Sequence, residues 1–106
     1  MQTQIIYWRD IPTQVRGKQG RKRSSLMLPD RFQKTVNRAA FRAKAINGEA
    51  YMDGFRNGPW QPVGDKTAGM DVVLTAMAAE IDAAYPDQRL NSLALSKGFQ
   101  EPNEEN

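Results

Sequence analysis

Residues 4–28, QIIYWRDIPTQVRGKQGRKRSSLML, decide the fold, because they contain two extended runs and the material for a hairpin turn. Gln4–Arg9 is rich in β-branched and aromatic residues and predicts a first strand. Pro12 interrupts this run, and Thr13–Arg16 predicts a second strand. The chain therefore begins with β-structure.

The turn of the predicted hairpin lies at Gly17-Lys18-Gln19-Gly20, where two closely spaced glycines favour a reversal of the chain. The return arm, Arg21–Leu28, begins with three charged residues and ends with apolar ones. We therefore predict a hairpin with a cationic tip and a buried base.

A helix should follow near Pro29 and Asp30, since proline is tolerated in a first helical turn and the Asp30 carboxylate can accept hydrogen bonds from free backbone N–H groups. At about 100° per residue, one apolar face holds Phe32, Val36, Ala39, Ala40, Ala43 and Ile46. Asn47 and Gly48 predict the end of this helix.

Glycine and proline break the middle of the chain, which predicts a helical turn at Tyr51–Arg56 and an edge strand at Pro59–Val63. The helical period returns from Thr67, and Asp87–Lys97 predicts a final helix.

These elements predict an α+β fold, with a small antiparallel sheet of three or four strands and two main helices packed on one face. A chain of 106 residues is large enough for one core. We expect a single domain over residues 1–99 and a flexible acidic tail over residues 100–106.

Charge is divided between the two halves of the chain. Residues 1–48 carry eleven Lys and Arg against two acidic residues, a formal charge of +9, whereas residues 49–106 carry four against ten, a charge of −6. A surface so rich in positive charge attracts anionic partners, either an acidic protein or a phosphate-bearing ligand.

Composition excludes much of known catalytic chemistry, because the chain contains neither cysteine nor histidine. Thiolate nucleophiles, imidazole bases, disulfides and the common zinc and iron–sulfur sites are therefore excluded. Neither of the common phosphate-binding glycine motifs is present. We predict a protein that is not an enzyme and that carries no cofactor or metal.

No stretch approaches the roughly 18 consecutive apolar residues of a membrane helix. The opening MQTQIIYWRDIP lacks the basic region, apolar run and cleavage site of a signal peptide. We expect a cytoplasmic protein without a membrane partner.

The densest group of candidate site residues is Lys18, Arg21, Lys22 and Arg23 at the hairpin tip. As a functional site, it would bind phosphates through charge-assisted hydrogen bonds. The structural alternative is a solvated tip whose charge prevents edge-to-edge strand pairing.

The candidate helical face contains Arg31, Lys34, Arg38 and Arg42. It could bind nucleic acid or pair within the chain with acidic residues of the later helix, Asp71, Glu80 and Asp82. Pairing between copies, head to tail, would instead form a homo-oligomer.

The first strand offers a third candidate surface, made of Tyr7, Trp8, Arg9 and Asp10. Tyr7 and Trp8 could stack on bases or on a flat cofactor, or they could pack in the core. Asp10 could form an Asx turn or orient a functional arginine.

Several of these residues also carry a family resemblance. The runs Tyr7–Pro12 and Asn37–Arg42, together with Gly20-Arg21-Lys22 and Arg31-Phe32-Gln33, resemble the small bacterial family labelled "virulence factor". The resemblance covers residues 4–46 well and the acidic half loosely. It implies an accessory bacterial protein, and it extends to relatives linked to corrinoid-dependent methyl transfer, including the reactivation of divided methionine synthases.

Two functions remain open from the sequence. The first is a non-enzymatic accessory protein whose basic half docks an anionic partner, with corrinoid methyltransferase components among the candidates. The second is a small nucleic-acid-binding protein. The acidic half and the lack of a recognisable nucleic-acid motif count against the second.

Overall fold

The computed structural model describes residues 1–64 and 67–100 of the chain. Its strands are β1 (Gln2–Trp8), β2 (Ile11–Gln19), β3 (Lys22–Met27), β4 (Phe55–Asn57) and β5 (Gln61–Pro62). Its helices are α1 (Asp30–Arg42), α2 (Gly48–Met52), α3 (Met70–Ala84) and α4 (Asp87–Leu95). Apart from Gln100, the predicted acidic tail lies outside the described residues.

The strands form one antiparallel sheet in the order β3-β2-β1-β4, and β5 pairs with the start of β1. Both long helices, α1 and α3, contact β2, and α1 also packs along α4. The α+β fold predicted from the sequence is confirmed.

Strand β4 replaces part of the helical turn predicted at Tyr51–Arg56. That helix lies earlier, at Gly48–Met52, and Phe55–Asn57 pairs with β1 along Ile6–Trp8. The prediction was wrong because pairing with the free side of β1 outweighs local helix propensity in so short a segment.

Pro12 lies within β2 and does not interrupt it. The register of β1 and β2 shifts between Ile6 and Tyr7, so Thr13 is the extra residue of a β-bulge. The Thr13 hydroxyl donates to the carbonyl oxygen of Ile6 at 2.9 Å, and the Thr13 carbonyl accepts from the N–H of Leu28 at 3.1 Å. A proline is tolerated beside such a break in the ladder, because one missing donor matters less there.

The hairpin between β2 and β3 turns at Gly20 and Arg21, and Gly20 has a φ of 60°. Gly17 lies inside β2 and outside the turn, where a Cβ atom would come within 3.0 Å of the Met70 side chain in α3. The cationic tip is confirmed. The predicted buried base is wrong for the exposed Leu26 and Met27, because β3 is an edge strand of the sheet.

Helix α1 begins and ends differently from its predicted bounds. Pro29 precedes it, and no side chain caps its first turn, so Asp30 does not act as predicted. The helix stops at Arg42, and Lys44 follows with a φ of 57°. Ile46 therefore lies beyond the helix and is exposed.

The core confirms the helical phase over the first three turns of α1. Phe32, Val36, Ala39 and Ala40 are all buried, together with Ile11 and Val15 of β2. The later helices add the buried side chains Met70, Leu74, Ile81, Leu90 and Leu93 to the same cluster. One contiguous core therefore joins the sheet to α1, α3 and α4.

Two phenylalanines of α1 provide a matched test of this packing. Phe32 is 0% exposed and Phe41 is 73% exposed on the same helix. We expect Phe32→Ala to lower the free energy of unfolding by about 3–5 kcal/mol through lost burial and a residual cavity. Phe41→Ala should change it by no more than about 0.5 kcal/mol. Urea titration followed by circular dichroism measures both, and equal effects would contradict the assigned helix phase.

Candidate functional site

The candidate residues from the sequence fall into three separate places. We call the cations of the β2–β3 hairpin, Arg16, Lys18, Arg21, Lys22 and Arg23, the hairpin cluster. The second place is the α1–α4 groove, which contains Lys34, Arg38 and Arg42, and the third is the YWRD corner, residues Tyr7–Asp10. The cavity beside the hairpin cluster shares no lining residue with the two cavities of the groove.

The hairpin cluster brings like charges together across the sheet. Lys18 on β2 lies directly opposite Arg23 on β3, and Arg16 lies opposite Ser25. Like charges at directly opposed positions of an antiparallel pair are destabilising. Within residues 1–64 and 67–100, no member of the cluster has an ion-pair partner. The positive charge of this hairpin is thus left unbalanced in the described part of the chain.

A cavity of about 340 Å³ opens beside the cluster. Two arginines, two serines and a tryptophan contribute to its lining, namely Arg16, Arg23, Ser24, Ser25 and Trp60. The Lys18 ammonium lies 4.2 Å from the centre of the Trp60 ring.

Sequence reasoning missed several lining residues of this cavity. Arg16 could have been identified from the sequence, since it lies two positions before Lys18 on one strand and therefore on the same face of the sheet. Trp60 was not, because only the pairing of β5 with β1 brings its loop to the hairpin.

Arg31, which the sequence places among the binding residues, pairs with acidic residues of the same chain. Its guanidinium contacts the Asp82 carboxylate at 2.6 Å and donates to the Asp82 carbonyl oxygen at 2.7 Å. It also pairs with Asp87 at 3.1 Å. The intramolecular pairing considered for this helical face is therefore present at Arg31, where it connects α1 to the end of α3 and the start of α4.

The rest of the basic face of α1 borders a groove against α4. Two cavities, of about 610 and 740 Å³, lie along this junction and share Asn37, Arg38 and Asn91. Arg38 donates from Nη1 to Oδ1 of Asn91 at 3.1 Å. Phe41 and Leu95 line the larger cavity, and both are exposed.

Within the YWRD corner, Trp8 is not available to a ligand, because it is 0% exposed. Its indole N–H donates to the carbonyl oxygen of Tyr51 at 2.8 Å, and the two rings lie 5.9 Å apart. A Cβ atom at Gly98 would come within 2.9 Å of the same indole. The stacking role considered for Trp8 is wrong, and the core role is confirmed.

Arg9 and Asp10 are also engaged within the chain. Arg9 adopts a φ of 53°, and its guanidinium lies 4.9 Å from the Trp8 ring centre and 4.6 Å from that of Phe99. The Asp10 carboxylate accepts from Arg56 at 3.2 Å and from the N–H of Gln100 at 2.7 Å. The Asp10 side chain thus contacts an arginine, Arg56, and the segment after α4.

Arg56 completes the corner from the other side. It donates from Nε to the Arg9 carbonyl oxygen at 2.9 Å, and its guanidinium lies 4.3 Å from the ring centre of the half-buried Tyr7. The end of β1 and the turn that follows it are thereby held by β4 and by the segment after α4. The corner acts as a clamp for the fold.

Gly54 provides a direct test of this clamp. A Cβ atom at Gly54 would overlap the Trp8 indole, whereas a Cβ atom at Gly64 would meet nothing within 4 Å. We expect Gly54→Ala to lower the free energy of unfolding by about 1–3 kcal/mol, since overpacking displaces a buried ring. Gly64→Ala is the matched control and should be nearly neutral. Chemical denaturation measures the free energy of unfolding of both variants. Equal losses would contradict the close packing of Gly54 against Trp8.

One half-buried titratable group, Tyr85, lies near the clamp. Burial raises the pKa of the Tyr85 phenol, and the Arg89 guanidinium beside it opposes that rise. The Arg89 guanidinium lies 3.8 Å from the Tyr85 ring centre, and the Phe32 ring packs edge-on at 5.9 Å. The neutral phenol is therefore the form that the fold favours.

This shift predicts a loss of stability at alkaline pH. A pKa that is raised in the folded state contributes stability that is complete below the unfolded value of about 10 and declines as the pH rises through the folded value. We expect Tyr85→Phe to reduce the fall in free energy of unfolding between about pH 9 and pH 11. Urea titrations across that range measure it, and parallel pH curves for variant and wild type would contradict the assignment.

The described residues contain no group of three or more acidic side chains placed to hold a metal ion. In the same part of the chain, no helix combines the length and apolarity needed to cross a membrane. The fold is of the α+β class, and the cations of one hairpin have no ion-pair partner among the described residues.

Comparison of the sequence with known protein families identifies the family of this chain. The model of a family described as "Virulence factor" matches residues 6–94, which is most of the chain. The chain belongs to the virulence factor family, and the resemblance seen in the sequence is confirmed and extends through the acidic half. No curated protein and no solved structure matches it.

Proposed function

We propose that this protein is a non-enzymatic accessory protein of the virulence factor family that docks an anionic partner through the hairpin cluster. The observation that supports the proposal is the unbalanced charge of this hairpin. Lys18 and Arg23 face each other across the sheet, and the described residues supply no carboxylate to either. A partner that brings negative charge would relieve this repulsion.

Protection of the sheet edge does not account for the whole cluster. Lys22 and Arg23 lie on the edge strand β3, where charge opposes pairing with another sheet. Arg16 and Lys18 lie on β2, which is already paired on both sides. Charges on an interior strand give no edge protection, so these two residues favour the binding function.

The lining of the hairpin cavity favours phosphate among anionic ligands. Guanidinium groups and hydroxyls are donors that match phosphate oxygens, and Arg16 and Ser25 lie opposite each other on the face of the sheet that also carries Arg23. A phosphate-bearing ligand, such as a nucleotide or the nucleotide tail of a corrinoid, fits this chemistry. The resemblance to relatives linked to corrinoid-dependent methyl transfer makes corrinoid methyltransferase components candidate partners, in the cytoplasm.

Trp60 favours a second candidate function, the binding of single-stranded nucleic acid. An aromatic ring beside cations is the usual arrangement on which bases stack while the backbone phosphates are neutralised. Trp60 lines the same cavity as Arg16 and Arg23, with Lys18 over its ring.

The hairpin variant Arg21→Glu, Lys22→Glu, Arg23→Glu tests the proposal. All three side chains are exposed, so each change should alter stability by only about 0.5 kcal/mol. We expect binding of a fluorescent adenosine diphosphate probe to weaken at least about tenfold, which corresponds to about 1.4 kcal/mol. The matched control is Lys34→Glu, Arg38→Glu, Arg42→Glu, which makes the same charge change in the α1–α4 groove and should leave binding of this probe intact.

Fluorescence anisotropy for binding and circular dichroism for folding give the readouts. Equal loss in both variants would indicate a general charge effect and contradict the assignment to the hairpin. Unfolding of the hairpin variant would contradict the claim that these residues form a free surface.

A single-stranded oligonucleotide probe separates the two candidate functions. Binding of the oligonucleotide but not of the nucleotide, with a steep dependence on salt, would favour the nucleic-acid function. Capture of corrinoid methyltransferase components from nuclease-treated lysate by wild type, and not by the hairpin variant, would favour the accessory function.

A further inference from the structure

We infer that the α1–α4 groove binds an acidic amphipathic segment of a protein partner. This groove shares no lining residue with the hairpin cavity, and the inference does not rest on the phosphate chemistry proposed there. It assigns a second, separate surface to the basic half of the chain.

The groove has the dimensions of a peptide site. Its two cavities adjoin at Arg38 and Asn91, and together they extend along α1, a helix of 13 residues that is about 20 Å long. A single phosphate would fill only a small part of that length. A helical or extended segment of a protein partner could contact the whole of it.

Charged side chains are distributed unevenly along the groove, and their arrangement favours an acidic occupant. At the end near the start of α1, Asp87 pairs with Arg31 and neutralises it. Toward the end of α1, the larger cavity is lined by Arg38 and Arg42 and by no carboxylate among the described residues. The C-terminal part of the groove is therefore the part whose lining holds arginines and no carboxylate.

Apolar surface in the same place distinguishes this groove from the hairpin. Phe41 is 73% exposed and Leu95 is 53% exposed, and both line the larger cavity beside the two arginines. Arginine and aromatic residues are enriched in the centres of protein interfaces, where an aromatic ring serves as an anchor. Apolar side chains give nothing to a free phosphate, but they match the apolar face of an amphipathic segment.

The groove also offers fixed polar groups between these regions. Asn37 and Asn91 lie where the two cavities adjoin, and Asn91 holds Arg38 through its side-chain oxygen at 3.1 Å. Arg38 is thereby oriented before a partner arrives, which lowers the ordering cost of binding. The geometry points to a carboxylate of the partner at Arg38 and Arg42, with an apolar side chain against Phe41 and Leu95.

A synthetic peptide tests the inference directly. The probe is a fluorescein-labelled peptide of about 14 residues with Glu on one helical face and Leu and Phe at i, i+3, i+4 and i+7 on the other. Two control peptides carry Gln for every Glu, or Ser for every Leu and Phe. We expect saturable binding of the probe, and at least about tenfold weaker binding of each control peptide.

Paired variants locate the binding on the chain. We expect Arg42→Glu to weaken probe binding about tenfold, while Lys22→Glu, the same charge reversal on the hairpin, leaves it within about twofold. Phe41→Ser should weaken it about tenfold, while Val72→Ser, an equally exposed apolar residue on α3, should not. All four side chains are exposed, so circular dichroism should show folded variants.

Three results would overturn the inference. The first is no saturable binding of the peptide at about 1 mM. The second is equal weakening by Arg42→Glu and Lys22→Glu, which indicates general charge attraction. The third is self-association in sedimentation equilibrium that Phe41→Ser abolishes, which assigns the groove to a second copy of this chain. Failure of the nucleotide probe at the hairpin would leave these outcomes unchanged, so the two proposals are separable.

Discussion

The buried indole of Trp8 is the contact through which segments far apart in the sequence meet. Its N–H is satisfied by the carbonyl oxygen of Tyr51, and the backbone at Gly54 and Gly98 lies against the ring. Arg9 packs between this indole and Phe99, and Asp10 binds the segment that follows α4. The indole of the YWRD corner is therefore used for internal packing, because a buried indole needs a hydrogen-bond acceptor.

The division of charge between the two halves of the chain has two different consequences in the folded structure. Where acidic and basic halves meet, Arg31 binds Asp82 and Asp87, and the charges serve to connect helices. On the hairpin, Lys18 and Arg23 face each other with no counter-charge in the described part of the chain. Partly exposed ion pairs contribute only about 0–1 kcal/mol each, so the paired residues orient the helices more than they stabilise them. The unpaired ones lower stability slightly, which is consistent with a role in binding.

Much of the fold could be predicted from local pattern. The β-branched and aromatic run of β1, the hairpin with its cationic tip and the apolar face from Phe32 to Ala40 are all signals carried by neighbouring residues, and the structure confirms them. The turn itself lies at Gly20 and Arg21, because Gly17 stays inside β2. Phe55–Asn57 became a strand because its distant pairing with β1 outweighs local preference. Helix α1 ended before the stop predicted at Asn47 and Gly48, because Lys44 adopts the left-handed region and the Ala45 N–H caps the Ala40 carbonyl oxygen. For the candidate site, the cations were visible in the sequence, but Trp60 and Leu95 were not, since each reaches its cavity only through folding.

The sequence by itself determined the α+β class, the family, the surplus of positive charge in the first half and the absence of cysteine and histidine chemistry. These properties follow from residue types and their local spacing, which need no knowledge of distant contacts. Only the tertiary structure decided which cations are free. Arg31 and Arg38 lie on one helical face, and the sequence gives no reason to distinguish them. In the structure, Arg31 pairs with two carboxylates, whereas Arg38 donates to an asparagine side chain beside an open groove. The difference arises because the partners of a charged side chain are set by how α3 and α4 pack against α1, and that packing depends on residues about fifty positions further along the chain.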